Sequence, residues 1–186
     1  MTPTRQRIEG KRFGLVADTH DVAVDWPAAV EKIRAAMGPV DAIIHCGDLT
    51  TPKAIEGLSA IAPVWATRNP AGDADASPPG LVDGPRILEV GASGIGVVFA
   101  LTTDPIGAET DPVLRFPKHS PEASMQMLFG GRVDVCVFGG THAAIVASAA
   151  GTLFVNPGSP TLAKTRTVGV LTLEDGLAQV EIRPVA

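Results

Sequence analysis

The first 66 residues alternate short apolar runs, rich in β-forming residues, with segments of helical character. The apolar runs end at Ala17, Cys46 and Ala66. The segment 26–37 carries apolar residues at helical three- and four-residue spacing, and the segment 51–61 has a proline in its first turn, where a helix tolerates it. Because β-α-β units join parallel strands through right-handed crossovers, this order predicts a parallel sheet at the centre of the fold.

The remaining chain is richer in predicted strands than in helices. Residues 70–85 and 103–119 contain many Pro, Gly and Asp residues and are predicted loops. Between them, 86–101 is predicted to form a β-hairpin. A serine followed by a proline and an acid predicts the start of a helix over 120–129. Five further strands are predicted within 133–183.

The bulk composition is that of a soluble globular chain. At 186 residues, with 45% hydrophobic and 19% charged residues, the sequence predicts one domain over 1–186 with a polar N-terminal extension at 1–11. No apolar run is long enough to span a bilayer and the N terminus lacks a secretory signal, which favours the cytoplasm. The formal net charge of −5 argues against general nucleic-acid binding.

Polar side chains with metal-binding chemistry follow several of the predicted strands. Asp18 and His20 come after the first strand, Asp48 after the second and Asn69 after the third, while His142 follows a later strand. Because the carboxyl ends of parallel strands meet at one edge of a sheet, we expect these side chains to converge. A carboxylate in such a position can bridge two divalent metals about 3.5–4 Å apart. The combination therefore predicts a metal site, although Asp18 and His20 alone would be equally typical of an ordinary loop and Asn69-Pro70 alone could be a turn.

This ordered set of motifs, with Asn156-Pro157-Gly158-Ser159 after another strand, resembles the calcineurin-like metallophosphoesterase superfamily. The resemblance is greatest to its small bacterial and archaeal phosphodiesterase branch and covers roughly residues 12–183. It implies an α/β fold of four layers, an α/β/β/α sandwich in which two mixed β-sheets are flanked by helices.

The resemblance also implies two metal positions. Asp18 and His20 would bind the first metal, Asp48 would bridge both, and His142 would return to the first. Asn69 would coordinate the second metal or orient the substrate phosphate. The first position therefore keeps four ligands in this sequence.

The second position departs from the family pattern. The family places a histidine where this chain has Thr103 and another where it has Gly140. Pro70 stands where the family has a His or Cys, so an expected donor of a proton to the leaving group is missing. A mononuclear site, a second site rebuilt with help from Asp104, His119 or water, and a loss of catalysis are all compatible with these changes.

The leading functional hypothesis is a metal-dependent hydrolase, a phosphodiesterase that uses metal-activated water on a small phosphate ester or phosphodiester. Asp48 and Asn69 would be its catalytic residues, and Arg68 a contact for the substrate phosphate. Manganese is the first metal to test, with iron, zinc, nickel and magnesium as alternatives. One tight site and a weak or absent second site are expected.

The alternative hypothesis is a catalytically weak or inactive scaffold that binds metal or another protein. The missing histidines favour it, and the complete first position argues against it. The sequence is also compatible with a homo-oligomer. His45, which lies inside a predicted strand, is interpreted as a packed histidine or as one that supports a ligand.

Overall fold

Two six-stranded β-sheets form the centre of the described part of the chain. The computed structural model describes residues 2–69, 73, 78–101, 114, 116 and 119–186. In spatial order, sheet 1 contains β12 (Leu177–Pro184), β11 (Thr167–Glu174), β2 (Arg12–Val16), β3 (Ala42–His45), β4 (Val64–Thr67) and β5 (Leu81–Val82). Sheet 2 contains β1 (Thr4–Arg7), β6 (Arg86–Val90), β7 (Ser93–Val98), β8 (Val135–Phe138), β10 (Thr152–Pro157) and β9 (Ala144–Ala149). Each sheet combines parallel and antiparallel neighbours.

The middle of sheet 1 is the parallel array that the N-terminal alternation predicts. β2 pairs with β3, and β3 with β4, in the parallel sense, and Leu15 is in register with Ile44. β11 adds to the other side of β2 in the antiparallel sense. The carboxyl ends of β2, β3 and β4 therefore lie side by side at one edge of the sheet.

Three α-helices of the described residues cover the outer faces of the sheets. α1 (Trp26–Met37) and α2 (Pro52–Ser59) pack on sheet 1, whereas α3 (Pro121–Phe129) packs on sheet 2. Each has a proline in its first turn and an N-cap side chain that accepts a backbone N–H, and these caps are Asp25, Thr51 and Ser120. None of the described helices combines the length and apolar character needed to cross a membrane. The four-layer α/β/β/α sandwich is confirmed.

The space between the two sheets is filled by buried apolar side chains. Phe13, Leu15 and Ile44 from sheet 1 and Val97 and Val137 from sheet 2 have no exposed surface. Removing apolar surface from water contributes about 25 cal/mol per Å². The core therefore holds the sheets in a fixed relation, which matters because strands of both sheets lead into the site.

Two short strands were absent from the sequence prediction. β1 lies within the polar stretch expected only as an N-terminal extension, and it pairs in parallel with β6. β5 lies within 70–85, where the sequence predicts only loop, and that prediction is wrong at these two residues. Arg86 helps to fasten this region, because its Nη1 donates to the carbonyl oxygens of Gly80 at 2.7 Å and Ala66 at 2.9 Å. Most of the predicted loop at 103–119 falls outside the described residues.

Candidate metal centre

Three metal-binding side chains meet where strands of both sheets end. His20 follows β2, Asp48 follows β3 and His142 follows β8. The Nε2 atom of His20 lies 2.9 Å from Oδ2 of Asp48 and 3.2 Å from Nε2 of His142. One ligand atom from each of the three residues lies within 4.8 Å of the others. Three of the predicted ligands are therefore immediate neighbours.

These separations suit the ligands of a single ion. Two atoms that each lie about 2.1 Å from one ion, at roughly 90–109° to each other, are about 3.0–3.4 Å apart. Imidazole nitrogen and carboxylate oxygen are both accepted by divalent transition metals. Two neutral rings that face each other through Nε2 share one hydrogen bond, whereas an ion would engage the lone pair of each ring. The donor set therefore fits a divalent cation.

Asp18 is buried beside these ligands and holds the loop that carries His142. Both of its carboxylate oxygens accept the backbone N–H of Gly140, at 3.0 and 2.9 Å. Burial, the largest influence, raises the pKa of this carboxyl to about 7; the Gly140 N–H opposes the rise and the charge of Asp48 adds to it. A cation at the neighbouring ligands would favour the charged carboxylate. As placed, Asp18 lies outside the close group formed by His20, Asp48 and His142.

Asn69 approaches the second oxygen of Asp48. Its Nδ2 donates to Oδ1 of Asp48 at 3.3 Å, whereas His20 lies against Oδ2. Asn69 is also buried, at the end of β4. Asp48 thus stands between the imidazoles and the amide, which is where a carboxylate shared by two cations would have to stand.

The backbone at the ligands adopts an uncommon conformation. The predicted ligands with left-handed φ, between 40° and 61°, are Asp18, His20, Asp48 and His142. Such a φ costs about 1–3 kcal/mol for a non-glycine residue and clusters at functional sites. Gly47, just before Asp48, has a φ of 95° and no room for a side chain. A Cβ there would lie 2.9 Å from the ring of Phe99 and 3.0 Å from the backbone nitrogen of Asn69.

His45 connects the loops that follow β2 and β3. The backbone N–H of Gly47 donates to Nδ1 of His45 at 3.0 Å. A neutral ring then carries its proton on Nε2, which donates to Oγ1 of Thr19 at 3.2 Å. Burial lowers the pKa of His45 to about 3, so the ring stays neutral. This placement agrees with its interpretation as a packed, supporting histidine.

The Asn-Pro-Gly-Ser motif supports the ligand loops through hydrogen bonds. The Oγ of Ser159 donates to the backbone carbonyl of Asp18 at 2.7 Å. The Nδ2 of Asn156 donates to Oγ1 of Thr141 at 2.9 Å, immediately before His142. The motif therefore contributes by orienting the loops on both sides of the site.

Asp73 is a site residue that sequence reasoning missed. Its carboxylate accepts the backbone N–H groups of Leu49 and Asn69, at 2.8 and 2.7 Å. Asp73 is one of three aspartates in the predicted loop 70–85 and belongs to no motif and no periodic pattern. Only its proximity in the sequence to Asn69 could have suggested a role.

The structure supports the remaining candidates less directly. The Nε of Arg68 is 2.6 Å from Oδ1 of Asp83 and forms an ion pair with it. His119 is exposed just before α3 and does not belong to the histidine–aspartate group found within the described residues. Thr103 and Asp104 lie outside the described residues.

Comparison with known proteins places this chain in a family. The calcineurin-like phosphoesterase superfamily domain matches residues 12–176. A probable metallophosphoesterase of Methanocaldococcus jannaschii is 31% identical over 171 residues, which cover 89% of this chain and 77% of the relative.

Solved structures share the architecture at lower sequence identity. An archaeal phosphodiesterase superposes with a TM-score of 0.64 at 19% identity, covering 92% of this chain and 99% of that one. Vacuolar protein sorting 29 of Cryptosporidium parvum gives a TM-score of 0.63 at 19% identity, covering 94% and 97%. At this identity the two structures establish the fold alone. The sequence match over most of the chain goes further, and it shows that this protein belongs to the calcineurin-like phosphoesterase superfamily.

Proposed function

We propose that this protein is a metal-dependent phosphoesterase whose substrates are small phosphodiesters. The observation that carries the proposal is the meeting of His20, Asp48 and His142 at ligand-like separations. Membership of the phosphoesterase superfamily supports hydrolysis of a phosphate ester. The archaeal phosphodiesterase with the same fold makes a diester the first substrate to test.

Each ligand residue would contribute a donor atom to the metal. His20 and His142 would offer neutral Nε2 atoms and Asp48 a carboxylate oxygen, with Asp18 as a fourth ligand beside them. A bound divalent cation would lower the pKa of water and polarise the phosphoryl oxygens. The imidazoles and carboxylates would hold their positions during attack, because the surrounding loops are tied by buried hydrogen bonds.

Asn69 and Arg68 are proposed to face the phosphate. The amide of Asn69 is held against Asp48 and could bind a second cation or a phosphoryl oxygen. Arg68 would contact the phosphate through its guanidinium, whose Nε already forms an ion pair with Asp83. Manganese, the cytoplasmic location, the single domain, the absence of general nucleic-acid binding and a homo-oligomer stay predictions.

An inactive metal-binding or protein-binding scaffold is the second candidate. The specific observation in its favour is at Gly140, which offers only a backbone N–H to Asp18 where the family has an imidazole. A phosphoesterase with a weakened second metal position would also be slow, because one cation cannot stabilise both the attacking and the leaving oxygen as two can.

Metal-reconstituted protein tests both candidates. We expect one tight Mn²⁺ per chain and a second only at high concentration. Hydrolysis of bis(4-nitrophenyl) phosphate should exceed that of 4-nitrophenyl phosphate and of a glycerophosphodiester. The missing proton donor, typically worth about 10²–10⁴-fold, matters least for an aryl leaving group. A faster monoester reaction would overturn the diester assignment. Equal background rates for the wild type and Asp48→Asn with every metal of the series would establish the scaffold.

A further inference from the structure

Asp73 joins the loop after β3 to the loop after β4. Its Oδ1 accepts the backbone N–H of Leu49 at 2.8 Å and that of Thr50 at 3.3 Å. Its Oδ2 accepts the backbone N–H of Asn69 at 2.7 Å. Its own N–H donates to the carbonyl oxygen of Asn69 at 3.1 Å. Asp73 therefore forms hydrogen bonds with the backbone N–H and carbonyl of Asn69. It also accepts the N–H groups of the two residues that follow Asp48.

The segments that Asp73 connects carry the two groups at the proposed second cation position. Asp48 has a φ of 61° and Thr50 a φ of 66°, a conformation that persists only when surrounding contacts hold it. Asn69 donates from Nδ2 to Oδ1 of Asp48 at 3.3 Å. The carboxylate of Asp73 fixes the backbone at each end of this Asp48–Asn69 contact.

We infer that Asp73 is a positioning residue that orients Asp48 and Asn69 for cation binding without being a ligand itself. Both of its oxygens already accept N–H groups, and it does not join the histidine–aspartate group of the described residues. Groups that orient metal ligands are commonly worth about 10–100-fold in metal affinity. The inference rests on the proposed metal-dependent function, yet it concerns metal affinity and can be measured without turnover.

Asp41 provides a matched control at the opposite end of β3. Its Oδ2 also accepts two backbone N–H groups, from Lys11 at 2.7 Å and from Arg12 at 2.9 Å. These bonds join β2 to β3 at the end remote from the ligands. A carboxylate-to-backbone clamp that is merely structural should behave like this one.

The experiment compares Asp73→Ala with Asp41→Ala in Mn²⁺ titrations read by the electron paramagnetic resonance signal of free Mn²⁺. We expect Asp73→Ala to lower the affinity for the second equivalent of Mn²⁺ by about 10–100-fold. Asp41→Ala should change this affinity by less than about twofold. If the wild type binds one equivalent only, the same ratio applies to that equivalent, because Asp48 serves both positions. Equal affinities in the two variants would overturn the inference.

Two further variants keep the test decisive. Asp73→Asn keeps one acceptor oxygen, so its Mn²⁺ affinity should fall between those of the wild type and Asp73→Ala. This variant also provides the comparison if Asp73→Ala does not fold. In an Asn69→Ala background, Asp73→Ala should weaken binding by a smaller factor than in the wild type, because part of its effect acts through Asn69. If Asp73→Ala weakens Mn²⁺ binding by the same factor in the wild type and in the Asn69→Ala background, the inference is contradicted.

The outcomes separate this inference from the proposed function. Weakened Mn²⁺ binding in Asp73→Ala, together with a wild type that hydrolyses no phosphate ester, would support the positioning role and reject the phosphoesterase. The opposite result is an active wild type together with an Asp73→Ala variant that binds Mn²⁺ as tightly as Asp41→Ala does. It would support the phosphoesterase and reject the positioning role. A wild type that binds no divalent metal would overturn both.

Discussion

The two ends of β3 use the same kind of contact in different surroundings. At the amino end, the exposed carboxylate of Asp41 accepts the N–H groups of Lys11 and Arg12. At the carboxyl end, Asp73 accepts N–H groups of Leu49 and its neighbour and also reaches the next loop. The first contact aligns two strands, whereas the second lies directly behind the candidate ligands.

Backbone strain distinguishes the two ends. Near the amino end the left-handed position is occupied by Gly10, with a φ of 130°, and glycine adopts such a value without steric conflict. At the carboxyl end Asp48 and Thr50 adopt left-handed φ values in spite of their side chains. The comparison teaches that the fold concentrates disfavoured backbone where polar side chains must converge, and secures it with buried hydrogen bonds such as those of His45.

Asp48→Asn should have the largest effect. The substitution keeps the shape of the side chain but removes the charge that faces His20 and Asn69. Metal affinity and phosphodiester turnover should each fall by at least about 100-fold, the upper end of what residues that only support ligands contribute. Metal titration, the aryl diester assay and circular dichroism measure this, with Asp41→Asn as the control. Unchanged metal affinity would remove Asp48 from the ligand set.

Gly47→Ala should have the next largest effect, on stability. The new Cβ would meet the Phe99 ring and the Asn69 nitrogen at about 3 Å in an already left-handed backbone, so we expect a loss of about 2–5 kcal/mol in the free energy of unfolding. Gly91→Ala is the matched control, because Gly91 has a φ of 58° but nothing within 4 Å of its Cβ position. It should lose about 1–2 kcal/mol. Equal losses in urea unfolding would show that crowding at Gly47 is relieved elsewhere.

His45→Asn should alter the acid dependence of stability in metal-free protein. The unfolded chain protonates His45 below its ordinary pKa of 6.5, whereas the folded pKa is about 3. The unfolded state therefore binds more protons between these values, and stability falls with decreasing pH by up to about 1.4 kcal/mol per unit. The variant should lack this component between pH 6 and 4. Asp18 titrates in both proteins, so its contribution largely cancels when the stability of the variant is subtracted from that of the wild type. Parallel pH profiles would show that His45 is already protonated in the fold.

Asp41→Asn should have the smallest effect. Hydrogen bonds from the backbone N–H groups of Lys11 and then Arg12 lower the pKa of Asp41 below 3.8. A lowered pKa stabilises the fold above the unfolded value, and this contribution is lost as the pH falls through the folded value. Because the group is exposed, we expect about 0.5–1 kcal/mol at pH 7 and convergence of the two proteins near pH 2. A difference that persists at pH 2 would mean that the charge is not responsible.

Local sequence patterns were sufficient for much of this molecule. The apolar runs of β2 and β3 and the periodicity over 26–37 predicted strands and a helix, because burial of one face leaves a repeating signal. The positions of His20 and Asp48 at strand ends predicted their convergence, because parallel strands share an edge.

Tertiary structure alone decided the short edge strand, the meeting of the two histidines and the role of Asp73. β1 is a four-residue polar strand, and it exists because β6 offers it an edge. His20 and His142 are 122 residues apart in the chain and meet only because the two sheets pack against each other. Asp73 acquires its role from backbone N–H groups whose positions depend on two other loops. Strand pairing, loop conformation and hydrogen bonding to a backbone group depend on distant partners, and no local pattern of residue types records them.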